Sequence, residues 1–307
     1  MKLIKTIDGQ PYAQPDPFIF AYGNKFYIYA TNSNGVIAYR SSSLFDGWEY
    51  IGYVLETEGI KSYWAPCVIA LNDKFYMYYS AIPAGEENVH RHCIKVAVSN
   101  FPDRGFVYEK DILQPFSIDA QVVKNESGLY LFYSTNRYEG DRVGTYIAVD
   151  KMIDPFTVEG NPVPAVLPTL DEEIFAKDRF RKGEDWHTIE GACYFHKGND
   201  HYILYSGGNY KSKSYFLGYA YAESTETDLR RIVFQKQPKP NIYKPLLSEN
   251  EVEEGAGHNS FITVGANDYL VYHACDKGKT GYMNRDNRTA RICRLCVDGA
   301  SLKVEQI

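Results

Sequence analysis

One short strand is spelled five times along the chain: "KFYIYAT" at 25–31, "KFYMYYS" at 74–80, "GLYLFYS" at 128–134, "HYILYSG" at 201–207 and "DYLVYHA" at 268–274. Aligned on their first tyrosines, Tyr27, Tyr76, Tyr130, Tyr202 and Tyr269 stand 49, 54, 72 and 67 residues apart. Self-similarity at such a period marks an array of like supersecondary units. Each copy follows a short apolar run and a turn: "PFIFAYGN", "PCVIALND", "AQVVKNESG", "ACYFHKGND" and "SFITVGAND". The Gly, Asn and Asp of these turns tolerate the positive φ that tight hairpins demand, so every unit opens with a β-hairpin. Downstream come "VIAYRS", "IKVAVS", "TYIAVD", "LGYAYA" and "ARICRL", then a further strand such as "GWEYIG" or "GFVYEK". Four strands per unit, five units and no long amphipathic helix predict an all-β chain. The expected architecture is a five-bladed β-propeller, with four-stranded antiparallel blades around a central channel. A β-sandwich with Tyr-rich strands would not require a fivefold repeat.

The chain has 307 residues, which two average domains or one array of repeated units could use. The repeats cover it, so residues 1–307 are read as a single domain. Its 27 Tyr and 16 Phe favour strands and supply rings for a core or a sugar-binding cleft. A net charge of −6 without long runs of either sign leaves no footprint for nucleic acid or an anionic membrane. No apolar run is long enough to span a bilayer. The opening "MKLIKTIDGQ" lacks the apolar stretch of a signal peptide, and the expectation drawn from it is a cytoplasmic protein. Six scattered cysteines are expected to be free thiols. "CRLC" has zinc-like spacing, but an offset of three along a strand turns Cys293 and Cys296 to opposite faces.

In a propeller the first strands of the blades surround one axis, so equivalent positions converge. Eleven residues before each aligned tyrosine stand Asp16, Ala65, Asp119, Gly191 and His258, and Glu190 precedes the fourth of these. Three carboxylates and an imidazole are thus predicted to meet at one end of the channel. Clustered carboxylates repel and lose solvation, so the convergence needs a purpose. A calcium cage or solvated blade ends would use such groups. So would glycoside hydrolysis, in which a protonated carboxyl serves the leaving oxygen and an ionised one activates water. A third acid can raise the donor's pKa by like-charge repulsion. Trp64 and Trp186 lie close in sequence to these positions, where their rings either stack on sugar faces or pack in the core.

At these residues the chain resembles the family 43 glycoside hydrolases. The matching motifs, in the family's order, are "QPDPFIF", "YWAPCV", "SIDAQVV", "TIEGACY" and "GAGHNSF", and they extend from Gln14 to the "NRTARICRL" strand. The resemblance implies a five-bladed propeller that cleaves with inversion. It makes Asp16 the general base, Asp119 the pKa modulator and Glu190 the general acid. Trp64 would border the terminal sugar, with Trp186 as a further ring near the substrate. Arg288 resembles an arginine that reaches the substrate or the base in exo-acting members. His258 resembles an axial histidine that in many members contacts calcium or water. The chemistry implied needs no cofactor, and a structural calcium near His258 is the one ion it suggests. Ala120 and Ala192 stand where proline is common, and Cys67 where an acid often follows "WAP".

The implied substrates are short oligosaccharides with terminal pentoses. The first expectation is an exo-α-L-arabinofuranosidase acting on arabino-oligosaccharides, and the alternative is a β-D-xylosidase acting on xylo-oligosaccharides. Retaining fructan hydrolases share the five-bladed plan, but their "RDP" and "EC" motifs are missing. A non-catalytic propeller that binds partners is the reading from another class; WD-type repeats are absent, and it would have no use for three registered acids. The segment 160–187, "GNPVPAVLPTLDEEIFAKDRFRKGEDWH", widens the spacing between the third and fourth units, and is expected to wall the pocket beside Glu190.

Overall fold

The computed structural model describes residues 1–4 and 13–307, with Tyr282 described through its backbone alone. Of the opening stretch read for a leader, residues 5–10 lie outside the described residues. The described residues are all-β, with helical geometry confined to four 3-10 turns of three residues each. None of their helices is long and apolar enough to cross a membrane.

Each sequence unit becomes a run of antiparallel strands in chain order. The first comprises Phe18–Tyr22, Lys25–Ala30, Val36–Ser41 and Glu49–Leu55; the second, Ile60–Leu71, Lys74–Pro83, Cys93–Ser99 and Val107–Asp111. The last comprises Glu253–Val264, Asn267–Asp276, Thr289–Asp298 and Ser301–Gln306. Between them lies one ten-stranded sheet. It holds the third unit (Ser117–Asn125, Gly128–Arg137, Gly144–Asp154) and the fourth (Trp186–Lys197, Asp200–Gly207, Phe216–Glu223, Gln235–Lys236). A short parallel pairing, Gly144 with His187 and Thr145 with Thr188, splices the two.

The first strands contact one another in a closed cycle. Phe18–Tyr22 meets Ile60–Leu71, which meets Ser117–Asn125, then Trp186–Lys197, then Glu253–Val264, and this last returns to Phe18–Tyr22. The chain ends meet in the fifth unit, where the Met1 amino group donates to the Ile292 carbonyl at 2.7 Å and Leu3 N–H to Ala290 at 2.9 Å.

Three tyrosines of the repeated strands have a clear physical role. Tyr29, Tyr78 and Tyr202 are fully buried. Each phenol donates to a carbonyl in the following unit: Pro102 at 2.7 Å, Pro155 at 2.8 Å and Gly299 at 2.6 Å. A phenylalanine would supply the same burial, about 1.5–3 kcal/mol per ring, but would leave those loop carbonyls without this donor. All six cysteines are free, five of them buried.

Part of the segment read as an insertion is regular structure. Val163–Val166 pairs with Gly144–Asp154 as an outer strand of the third unit. Beyond it the chain is pinned twice. Glu173, fully buried, accepts from the Thr169 and Leu170 N–H groups at 2.7 and 3.0 Å and pairs with Lys236 of the fourth unit. Arg179 reaches the second unit, where its guanidinium contacts His90 Nε2 at 2.7 Å.

Gly144 makes the splice between the third and fourth units. Its φ is +149°, and a Cβ there would fall 1.9 Å from the His187 carbonyl oxygen. Gly144→Ala is therefore expected to lower stability by about 3 kcal/mol or more, read as a drop in denaturation midpoint. An unchanged midpoint would mean that the parallel splice contributes little.

Candidate active site

The five register positions share a backbone conformation that the sequence did not disclose. Asp16, Ala65, Asp119, Gly191 and His258 are all left-handed, with φ of 54°, 44°, 58°, 65° and 44°. In four units the ladder skips there, from Trp64 to Cys67, Ile118 to Gln121, Glu190 to Cys193 and Gly257 to Ser260. Such bulges bend the strand and re-aim a side chain. A left-handed residue other than glycine costs about 1–2 kcal/mol, so something must hold it. Gly191 is glycine for a further reason: a Cβ would lie 3.1 Å from the His258 ring nitrogen.

The holding groups are the fourth residues after the aligned tyrosines. Thr31 donates to Asp16 Oδ2 at 2.6 Å and accepts from Ala65 N–H at 2.8 Å. Ser134 donates to Asp119 Oδ2 at 3.4 Å, and that oxygen also accepts from Gly191 N–H at 3.1 Å. Ser206 Oγ accepts from His258 N–H at 2.6 Å, and His273 Nδ1 accepts from Asp16 N–H at 3.1 Å. The braces therefore pass from unit to unit. Their signal was present in the repeated strands, four of which carry a hydroxyl residue at this place: Thr31, Ser80, Ser134 and Ser206.

One pocket of ≈ 110 Å³ gathers Asp16, Trp64, Asp119, Glu190, His258 and Arg288 with Thr31, Tyr210 and Tyr215. Six of the seven residues singled out in the sequence thus lie together. Trp186 does not: it is 2% exposed, beneath Tyr138, Phe180 and the Arg179 guanidinium, where it packs the segment after Val166. The expectation that Trp186 stands beside the substrate is corrected on this placement, because proximity in sequence put its ring on the buried side. The expected wall is corrected as well. No residue of 160–187 lines the pocket; that side is built by Tyr210 and Tyr215, from the connection between the second and third strands of the fourth unit. The segment stands behind it, where Asn209 Nδ2 donates to the Phe175 carbonyl at 3.2 Å.

The carboxyls have opposed environments. Burial alone would raise Asp16, but His258, Arg288 and His273 outweigh it and hold the group well below the usual carboxylate range. Its Oδ1 lies 3.4 Å from Arg288 Nη1 and 3.3 Å from both His258 Nδ1 and His273 Nδ1. Burial pushes His258 down and His273 to about 4, which leaves Arg288 as the lasting charge partner. Arg288 is itself aimed by Asp286, at 3.0 and 2.7 Å. Burial pushes Glu190 the other way, to about 7, with the Asp16 charge adding to it and the Tyr215 hydrogen bond opposing. Asp119 is also raised, by burial first and then by the charges of Glu190 and Asp16. An ionised acid, Asp16, thus faces one, Glu190, whose proton is retained up to near neutrality.

Tyr215 was missed by sequence reasoning. It lies outside the repeated strands and carries no motif. Its phenol donates to Glu190 Oε1 at 2.8 Å, while its ring lies 5.8 Å from and nearly parallel to that of His273. Burial and the Glu190 charge push the phenol up, so it remains a donor.

The calcium expected near His258 would have to draw its oxygens from neighbouring side chains, backbone and water. Calcium takes six to eight oxygens. Gln121 is engaged with the Tyr194 backbone and Ser260 with Ile19 N–H and the Pro17 carbonyl. Among the described residues, no group of three or more His, Cys, Asp or Glu side chains could hold a metal ion.

A pocket that keeps one carboxylate ionised and another protonated suits the cleavage of glycosidic bonds. The chain belongs to the glycosyl hydrolases family 43, whose model matches residues 10–298. It is 27% identical over 241 residues to an extracellular exo-α-(1→5)-L-arabinofuranosidase of Streptomyces avermitilis, covering 76% of this chain and 47% of that protein. A protein of the same name from Streptomyces chartreusis is 26% identical over 219 residues, covering 69% of this chain and 62% of its own length. The chain therefore spans about half to three fifths of these curated relatives. A crystal structure of a thermostable family-43 glycoside hydrolase superposes with a TM-score of 0.79 at 28% identity, covering 96% of this chain and 93% of that one. The expected cytoplasmic location is overturned by the two relatives, both named extracellular. The lack of an apolar stretch in the opening residues therefore does not fix where the protein works.

Proposed function

We propose that residues 1–307 form one five-bladed β-propeller domain that releases terminal pentose from short oligosaccharides with inversion. The first substrate class is α-L-arabinofuranosides, and the site of action is outside the cell. The observation that carries the reading is the opposed proton affinity of Asp16 and Glu190 within one pocket. The cycle of first-strand contacts supports the propeller, and the names of the two curated relatives support the sugar and the location.

Asp16 takes the proton of the attacking water as general base, kept ionised by Arg288. Glu190 gives its proton to the leaving oxygen. Asp119 fixes the backbone beside Glu190 by accepting from Gly191 N–H, and the charge that raises Glu190 is that of Asp16. Trp64, stacked on His92 at 3.5 Å, offers a ring to the bound sugar, and Arg288 a donor. Tyr215 positions Glu190 and steadies its ionised form after transfer. No step is routed through a metal.

Aryl α-L-arabinofuranoside and aryl β-D-xyloside, each incubated with the protein, test the class and the sugar together, with turnover expected on the arabinoside. Proton NMR of the first-formed sugar is expected to show the inverted anomer. A retained anomer would remove Asp16 from its role, and no turnover of any pentoside would favour a binding propeller instead.

The active form needs Asp16 ionised and Glu190 protonated. Its population falls as pH rises through the Glu190 value of about 7, whereas the acid side persists to strongly acid pH because Asp16 is held low. A plot of kcat/KM against pH is expected to show an alkaline limb near 7; activity that keeps rising above pH 8 would contradict the assignment. Tyr215→Phe removes a hydrogen bond that favours ionised Glu190, so the alkaline limb is expected to move upward by about one pH unit. An unmoved limb would make Tyr215 a packing residue only.

A further inference from the structure

Beside the catalytic pocket lies a second hollow of ≈ 430 Å³, and Tyr210 and Arg288 line both. The two cavities therefore share a wall. The hollow is lined further by Lys211, Arg285 and Asn284. Its one carboxylate, Asp286, is held at both oxygens by Arg288, at 3.0 and 2.7 Å. Lys211 and Arg285 form no ion pair with another described residue; the ammonium of Lys211 stands 5.5 Å from the Tyr210 ring. On a chain of net charge −6, two basic residues without an ion-pair partner among the described residues line a hollow next to the pocket of the reacting carboxyls.

Resting on the hydrolase reading above, we propose that this hollow is the leaving-group subsite and that it receives a carboxylate-bearing unit, such as a uronic acid residue. The catalytic pocket has the volume of one small sugar ring, so the remainder of a substrate must leave it, and Tyr210 and Arg288, common to both linings, put this hollow next to it. A neutral sugar would use only the hydrogen-bonding capacity of Lys211 and Arg285 and would cover charges that water solvates better. A carboxylate accepts from both, and Arg285 can meet it with two parallel N–H groups. Tyr210 would offer the leaving unit a ring face, with the Arg288 guanidinium 5.0 Å from the ring centre.

The test compares two glycosides of the pentose that the protein cleaves, with 4-(carboxymethyl)phenyl and 4-(carbamoylmethyl)phenyl leaving groups. The methylene insulates the phenol, so the two differ in charge far more than in leaving ability. The carboxylate is expected to give about fivefold higher kcat/KM at low ionic strength, the size of effect that exposed charge pairs produce. The ratio is expected to fall toward one in high salt and in the Lys211→Gln/Arg285→Gln double variant. A ratio of one or less in the native protein, or one that neither salt nor the double variant changes, overturns the subsite while leaving the hydrolase reading intact. Turnover of neither glycoside overturns both.

Discussion

Glu190→Ala is expected to lower kcat on arabinosides with sugar or alkyl leaving groups by about a thousandfold, and on nitrophenyl arabinosides by far less. A general acid contributes about 10²–10⁴ when the leaving oxygen is basic, because that oxygen would otherwise depart as an unprotonated alkoxide. An activated phenolate departs without help. The fold should tolerate the change: Glu190 pairs with Ser206 through its backbone, and its side chain meets the Tyr215 phenol in the pocket rather than the core. The variant should also lose the alkaline limb near 7, since the group that titrates there is gone. Steady-state kinetics on a series of leaving groups read both effects. Equal losses across the series would show that Glu190 is not the proton donor.

Asp16→Asn is expected to abolish activity on every leaving group, by about 10³-fold or more, because water activation precedes any question of leaving ability. Asparagine keeps the volume and also tolerates the left-handed backbone at φ 54°, so Thr31 retains a partner and the local backbone is not disturbed. What is lost is the charge held low by Arg288 and with it the capacity to take a proton. Arg288 keeps its two bonds to Asp286, which argues against a folding defect. A thermal midpoint near that of the native protein, together with flat loss across leaving groups, is the expected pair of results. Residual activity that recovers with better leaving groups would instead place Asp16 on the departing side of the bond.

These two variants rest on positions that could be found by counting. The fivefold strand "KFYIYAT" and its copies carry a register, and eleven residues back from each tyrosine the same left-handed backbone recurs in space. Hairpins, third strands and the all-β character followed from alternation and turn chemistry, which are local and repeat with the chain. The bracing hydroxyls, Thr31, Ser134 and Ser206, were visible in those copies, but nothing local says that a strand-end hydroxyl will meet the next unit's backbone. The start of the segment after Gly160 was read as insertion because its strand, Val163–Val166, lacks the tyrosine pattern and pairs only at an edge.

By itself the sequence determined which residues are equivalent, since equivalence is a matter of spacing and of apolar period along one dimension. It thereby placed Asp16, Asp119, Gly191 and His258 in a common register, with Glu190 one residue ahead of it. Only the tertiary structure decided what surrounds them: that Tyr215 meets Glu190, that Tyr210 and not the long segment walls the pocket, and that Trp186 turns inward beneath Arg179. Those outcomes depend on connections outside the repeat and on which face a ring can bury, and both are settled by contacts between units far apart in the chain.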